Sequence, residues 1–234
     1  MMTKIRFTGI TMTETDDLYR LLSWLSPSYP VGAFSYSHGL EYAVENGSVS
    51  TAEDVVAWVS TVLLQGTGRV DGILFREAYS AVTGANWDHL DTVIDLGNAL
   101  QATSEFALET RAQGSAFIKA TLAAWPADAL MRLDEGAVYP VGVAVACAAH
   151  RIDLKTALHG YFQAFSANFV SAAVRLVPLG QTDGQRAIAM LFDAVTRSQD
   201  QSLTIPLEDI GSAAPLIDLA SMHHETQYTR LFRS

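Results

Sequence analysis

Apolar residues recur along the chain with the spacing of an α-helix. Leu18, Leu21, Leu22 and Leu25 lie at positions i, i+3, i+4 and i+7, on one face of a helix. No run alternates cleanly between apolar and β-branched or polar positions, so no strand is predicted. The pattern predicts an all-α protein, a single-domain helical bundle of roughly ten helices. Segments with the same helical spacing are 51–66, 70–84, 88–100, 106–125, 138–150, 153–177 and 182–195.

Polar residues near the predicted helix ends support these assignments. Thr51 precedes Asp54 by three residues, which is the arrangement of a capping box. Asp153 suits the N-cap position of the longest predicted helix, and Thr182 or Asp183 is expected to cap the helix after it. The predicted helices therefore carry their own start signals.

Two segments depart from the helical pattern. Residues 26–41 contain prolines, which exclude a helix, and are too aromatic for a plain solvated loop. Residues 221–234 carry large apolar side chains where chain ends are usually polar. We therefore divide the chain into a flexible N-terminal segment (1–15), an all-α helical domain (16–220) and a C-terminal partner-docking tail (221–234).

The first of these segments is predicted to be a rigid structural loop. Phe34 and Tyr36 are expected to pack on the bundle, while Gly32 and Gly39 supply left-handed turns. The neighbouring serines and histidine are expected to hold the loop in shape by hydrogen bonds. The residues assigned to this structural loop are Pro30, Gly32, Phe34, Ser35, Tyr36, His38, Gly39 and Glu41.

Composition narrows the possible functions. The formal net charge is −10, which argues against nucleic acid and anionic membrane surfaces as partners. The single cysteine excludes a disulfide framework and any cysteine-based metal cluster, and it fits a reducing, cytoplasmic compartment. Charged residues make up only 17% of the chain, fewer than is usual for a monomer, which indicates that partners cover part of the surface.

Catalytic and nucleotide-binding sites are not predicted. Ser37 and His38 lie close together, but no serine stands in the strained elbow of a serine hydrolase, so no catalytic residue is assigned and the chain is not expected to be an enzyme. Gln185 follows Gly184 where a phosphate-binding loop needs lysine. GTP hydrolysis is therefore expected to belong to a partner.

Metal-ligating residues are too sparse for a designed site. Cys147 and His150 are three residues apart and would supply only two ligands from one helix face. His223 and His224 are neighbours, so only one of them could face a given site on a helix. No metal ligand and no cofactor is predicted.

The C-terminal residues form an amphipathic pattern. Tyr228, Leu231 and Phe232 share one face if the tail is helical, and Arg230 and Arg233 lie on neighbouring faces. An isolated helix this short is marginal, so the tail is expected to be mobile in the free protein and to dock as a helix in a partner's groove. The alternative is that the tail packs back on its own bundle. All five residues are assigned to partner binding.

Four segments together resemble the signature of the urease accessory protein F family, a nickel-urease maturation factor. They are residues 26–41, 110–114, 173–185 and 218–234, and they occur in the family's order. The resemblance implies an all-α, mainly dimeric scaffold that is not catalytic. It also implies binding to the D-type (H-type) urease accessory protein, recruitment of the G-type GTPase and nickel insertion into the urease apoenzyme. The groove that binds the tail would lie on the D-type protein.

Arg175, Gln181 and Gln185 are possible GTPase-facing residues, because they flank a glycine-rich turn within one of these segments. A structural ion pair is the other interpretation of Arg175. Two alternative functions stay open: a direct nickel-binding metallochaperone, and a regulator that supplies an arginine in trans to the GTPase.

Overall fold

The chain is helical throughout the residues that the structure describes. The computed structural model describes residues 14–133 and 136–234, so most of the predicted flexible segment 1–15 lies outside the described residues. The α-helices are α1 Glu14–Trp24, α2 Leu40–Glu45, α3 Ala52–Gln65, α4 Thr67–Thr83, α5 Trp87–Ala99, α6 Ser104–Ala124, α7 Tyr139–Ala149, α8 Leu154–Leu176, α9 Gln181–Met190, α10 Phe192–Thr204 and α11 Pro215–His224. Short 3-10 helices lie at Ala33–Ser35, Leu130–Arg132 and Leu207–Asp209. Within the described ranges there is no strand, and the prediction of an all-α, single-domain bundle of roughly ten helices is confirmed.

The predicted caps form at two helix starts. The Thr51 hydroxyl accepts a hydrogen bond from the Asp54 amide at 3.1 Å, and the Asp54 carboxylate accepts one from the Thr51 amide at 3.0 Å. At the start of α8 the Asp153 carboxylate accepts a hydrogen bond from the Thr156 amide at 2.9 Å. These bonds satisfy amides that have no partner within their helices.

The segment predicted as one helix over residues 182–195 is two helices. α9 begins one residue before Thr182, so neither Thr182 nor Asp183 is its N-cap. The chain turns at Leu191, whose amide donates to the Ala187 and Ile188 oxygens at 3.1 and 3.2 Å, and α10 starts at the next residue. Leucine is a good helix former, so the sequence carries no local signal for this break.

Helix α7 is the most deeply buried helix of the bundle. Its residues from Pro140 to Ala148 are all buried, and it packs mainly against α4 and α6. Gly114 of α6 faces the start of α7, where an added Cβ would lie 2.1 Å from the Ala137 oxygen. Although α7 is apolar on every side, neither it nor any other described helix has the length and apolar character needed to cross a membrane.

Aromatic side chains join α1 to the centre of the bundle. The fully buried Trp24 ring lies 6.2 Å from that of Phe117 on α6 and 5.9 Å from that of Trp125. The Tyr29 hydroxyl shares a 2.8 Å hydrogen bond with the Thr121 hydroxyl of α6. These contacts fix the point from which the chain leaves α1 for the irregular segment that follows.

Candidate functional site

The segment between α1 and α2, residues 26–39, is called the aromatic loop here. Tyr36 is 3% exposed and packs on the bundle, as predicted. Phe34 is 63% exposed, so the prediction that it packs on the bundle was wrong. The 3-10 helix Ala33–Ser35 turns consecutive side chains in different directions, and Phe34 is the one that faces outward.

The backbone of the aromatic loop is left-handed at three positions. Gly32 and Gly39 have φ angles of 74° and 78°, as their predicted turn roles require, and His38 has a φ of 56°. The His38 ring is held at 2.8 Å from the Thr67 hydroxyl and 3.2 Å from a Glu109 carboxylate oxygen. Hydrogen bonds to α4 and α6, rather than bonds within the loop, therefore hold His38 in this strained conformation.

Three glutamates are buried beside the loop, and we call them the acidic seat: Glu41 on α2, and Glu105 and Glu109 on α6. His224, the last residue of α11, is fully buried between two of them. Its Nε2 lies 2.9 Å from Glu41, and its Nδ1 lies 2.9 Å from Glu105. Buried carboxylates are costly unless they are paired, so His224 is a structural partner of the seat.

The first residues of the predicted tail 221–234 belong to α11, which ends at His224. The remaining residues, 225–234, are not helical and are called the tail from here on. The Leu231 and Phe232 amides donate to the two oxygens of the Glu41 carboxylate at 2.6 and 3.0 Å. The Arg230 guanidinium donates to Glu105 at 3.1 Å. The expectation of a helical tail is therefore wrong: Glu41 accepts hydrogen bonds from amides that a helix would have bonded to its own carbonyls, and the tail packs on its own bundle. Its mobility in the free protein stays a prediction.

The last residues of the tail are bonded to the aromatic loop. The Arg233 amide donates to the Ser35 oxygen at 2.8 Å, and the Ser37 amide donates to the main-chain oxygen of Ser234 at 2.7 Å. The Ser234 hydroxyl donates to Glu109 at 2.7 Å. Ser35 and Ser37 thus bind the tail as well as shaping the loop, and the two segments form one surface.

Arg175 holds the same surface from α8. Phe232 is 4% exposed, and the Arg175 guanidinium lies 4.3 Å from the centre of its ring. The guanidinium also donates to the Phe34 oxygen at 2.9 Å. Gln181 and Gln185 are exposed on α9. The Arg175 guanidinium therefore contacts both the loop and the tail. Its partners are a main-chain oxygen and an aromatic ring rather than a carboxylate.

Other side chains of the tail and of α11 point outward. Tyr228 is fully exposed, and Leu231 is 65% exposed. The exposed apolar residues of α11 recur every three positions, which places them along one side of the helix. We call this set the docking face: Leu216, Leu219, Met222, Tyr228 and Leu231. Exposed apolar groups in such number are typical of protein interaction sites.

Burial shifts the pKa values of acids in and near the seat. Burial raises the pKa of Glu105, against the lowering effects of His224 and Arg230. Asp71 on α4 is also buried, and its carboxylate accepts a hydrogen bond from the Tyr161 hydroxyl at 2.8 Å. Burial raises the pKa of Asp71 from 3.8 to about 6, more than the Tyr161 bond and His38 lower it. The Asp71 carboxyl therefore takes up a proton at a higher pH than an exposed aspartate does.

Replacing Asp71 with asparagine is expected to flatten the pH dependence of stability. Because the pKa of Asp71 is higher in the folded state, its stabilising contribution is complete below pH 3.8 and is lost as the pH rises through about 6. Asparagine resembles the protonated acid, so the variant should be more stable than the wild type by up to about 3 kcal/mol at pH 8. Urea unfolding at pH 4 to 8 measures this, with Asp91→Asn, an exposed change on α5, as control. Parallel pH profiles for wild type and Asp71→Asn would contradict it.

The candidate metal ligands have other partners. The Cys147 thiol is buried, which raises its pKa, and His150 Nε2 lies 3.2 Å from the Trp125 oxygen. The His223 ring stacks on that of Tyr42 at 5.0 Å, so it points away from His224, as their adjacency predicted. Among the described residues, no group of three His, Cys, Asp or Glu side chains is arranged to hold a metal ion.

A second apolar surface lies along α1 and α8. A groove of about 650 Å³ runs along α1 and α8, and a neighbouring groove of about 360 Å³ continues to α10, with His159 lining both. Large apolar side chains at 53% to 66% exposure flank these grooves. We call this set the α1–α10 face: Leu18, Leu22, Met190 and Phe192.

Sequence reasoning missed most of the acidic seat. Glu105, Glu109 and His224 were not predicted as site residues. A signal was present, because Glu105, Glu109 and Gln113 recur every four residues in line with the buried Phe117. Acidic residues that continue an apolar stripe face the core, where they need partners.

Comparisons with known proteins agree with the fold and the motifs. The UreF family model matches residues 49–192. A "Urease accessory protein UreF" of Granulibacter bethesdensis is 51% identical over 232 residues, which cover 97% of this chain and 98% of that protein. Proteins with the same name are 47% identical in Rhodopseudomonas palustris strain HaA2, over 93% of both chains, and 46% identical in a Bradyrhizobium strain, over 95% of both chains.

Proposed function

The chain belongs to the UreF family of urease accessory proteins, and from this premise we propose that it acts in urease maturation as a non-catalytic scaffold. In this proposal it binds the D-type (H-type) accessory protein, recruits the G-type GTPase and helps nickel reach the urease apoenzyme. Nickel is the cargo of the assembly and not a resident cofactor of this chain. The lone cysteine suits a reducing compartment, and we place the assembly in the cytoplasm.

The docking face carries this proposal. Its members on α11 and on the tail are large, apolar and exposed, while the residues beneath them are bonded to the acidic seat. A surface of this kind binds a protein with little ordering cost, because its backbone is already fixed. We assign the D-type accessory protein to this face.

The predicted partner-binding residues then divide into two groups. Tyr228 and Leu231 are exposed and would contact the partner directly. Phe232 is buried. The Arg230 side chain is bonded to the acidic seat, and the Arg233 main-chain amide is bonded to the aromatic loop. This second group would orient the tail rather than contribute most of the binding energy.

The G-type GTPase is assigned to the side of the bundle that presents Gln181 and Gln185. Both are exposed on α9, which follows α8 and therefore lies close in sequence to Arg175. The Arg175 guanidinium is held by the Phe34 oxygen and the Phe232 ring, which does not favour an arginine supplied in trans. We therefore propose that Arg175 shapes the surface and that the glutamines contact the GTPase.

The α1–α10 face is proposed to join two copies of the chain. Leu22 and Phe192 are both 66% exposed, and monomeric proteins rarely leave neighbouring apolar groups so accessible. A face that pairs with itself about a two-fold axis covers the same residues on both copies. The low charged fraction of the chain, 17%, agrees with a surface that is partly hidden in this way.

The proposed function is tested by titrating the purified D-type protein into this chain in a calorimeter. Changing both Tyr228 and Leu231 to alanine is expected to weaken the complex about 100-fold, because the two side chains would be anchors of the interface. The melting temperature should not change, since both side chains are exposed in the free protein. Light scattering of the wild-type complex reports whether it contains two copies of the chain.

Met131→Ala is the matched control, since Met131 is 65% exposed and lies outside the docking face. It should bind like the wild type. Phe232→Ala removes a buried ring instead and should lower stability as well as affinity. Wild-type affinity in the Tyr228 and Leu231 double variant would rule out the docking face as the D-type site.

A further inference from the structure

Consecutive tail residues have opposite environments. Leu231 is 65% exposed, whereas Phe232 is 4% exposed. If the tail were displaced by one residue toward its C-terminal end, Leu231 would take the buried position of Phe232, and Phe232 would take the exposed position of Arg233. The identity of the exposed side chain therefore depends on what fixes the backbone at these two positions.

One carboxylate fixes that backbone. Glu41 Oε1 accepts the Leu231 amide at 2.6 Å, and Glu41 Oε2 accepts the Phe232 amide at 3.0 Å. Hydrogen bonds to an ionised acceptor are stronger than those between neutral groups. We infer that Glu41 is a positioning residue that sets the register of the tail and so selects Leu231 as the side chain presented to the partner.

The Glu41 carboxylate is itself held in place from the other side. His224 Nε2 lies 2.9 Å from Oε2, and His224 Nδ1 is bound by Glu105, so α11 and α6 orient the group on α2. Glu41 is only 6% exposed, which keeps water from replacing the tail amides. The inference about the partner rests on the proposed function, whereas the register of the free tail does not.

Glutamine cannot reproduce this arrangement in either orientation. If its amide nitrogen takes the place of Oε1, the Leu231 amide faces a donor. If the nitrogen takes the place of Oε2, the Phe232 amide faces a donor. Glu41→Gln therefore removes at least one tail bond while changing the size of the side chain very little.

The test measures amide hydrogen exchange in the full chain by NMR, without any partner. In Glu41→Gln the Leu231 or Phe232 amide, or both, should exchange at least tenfold faster than in the wild type. Glu45→Gln, an exposed change on the same helix, should leave both rates as they are. Unchanged rates at both amides in Glu41→Gln would overturn the inference.

The affinity for the D-type protein is a second measurement that tests the positioning role of Glu41. Glu41→Gln should weaken binding about tenfold in the otherwise wild-type chain and should have no further effect in a Leu231→Ala background. An equal loss in both backgrounds would mean that Glu41 acts only on general stability, and would overturn the positioning role. If the wild type does not bind the D-type protein, the proposed function fails while the exchange rates still decide the register. If Glu41→Gln does not fold, Glu41→Asp, whose carboxylate is one methylene shorter, carries the same expectations.

Discussion

Replacing Gly114 with alanine is expected to lower the free energy of unfolding by about 3 kcal/mol. The new methyl group would lie 2.1 Å from the Ala137 oxygen and 2.9 Å from the Tyr139 amide nitrogen. Both are main-chain atoms at the entry to α7, so no side-chain rotation can relieve the overlap. α6 and α7 would have to separate, and each loses buried contacts when they do.

Urea denaturation at pH 7 measures this loss. Gly142→Ala is the matched control, because Gly142 lies on α7 and its added Cβ would come no closer than 3.4 Å to the Ile118 side chain. Alanine has the higher helix propensity, so the control should be neutral or slightly stabilising. Equal denaturation midpoints for the two variants would contradict this prediction, because they would show that α6 and α7 can move apart at little cost in stability.

Replacing Gly39 with valine should cost about 3 kcal/mol, clearly more than the same change at Gly32. Both residues have left-handed backbones, with φ of 78° and 74°, and valine is strained there. At Gly39 the added Cβ would also lie 3.0 Å from the Ser221 amide nitrogen of α11, whereas nothing lies within 4 Å at Gly32. Gly32→Val should therefore cost only the strain of the backbone, about 1 kcal/mol.

Thermal unfolding of both valine variants checks this difference. Gly39→Val should also increase hydrogen exchange in the tail, since it pushes on the helix that ends at His224. Gly32→Val serves as the internal control for backbone strain alone. A larger loss at Gly32 than at Gly39 would mean that the contact with α11 is not what constrains the loop.

The helices could be predicted from sequence because their signals are local. The Thr51–Asp54 capping box and the Asp153 cap each form between residues three apart, whatever the rest of the chain does. The break at Leu191 had no such signal, since it depends on how α9 and α10 pack against other helices. Local rules therefore identified most of the helices but missed α11 and the break at Leu191.

The candidate site was only partly predictable, because its main contacts join distant segments. Glu41 and the Leu231 amide are 190 positions apart, and no spacing rule links them. The apolar spacing of Tyr228, Leu231 and Phe232 did suggest a helix, but the amides of the last two are bonded to a buried carboxylate instead. Tertiary hydrogen bonds thus overrode a local pattern.

The position of α7 in the chain order bears on how the protein is made by the ribosome. A helix that is apolar on every side is prone to aggregate until its neighbours cover it. Its main neighbours, α4 and α6, both precede it in the sequence, so they have already left the ribosome when residues 139–149 emerge. This apolar segment can therefore be covered during synthesis, before α8 to α11 emerge from the ribosome.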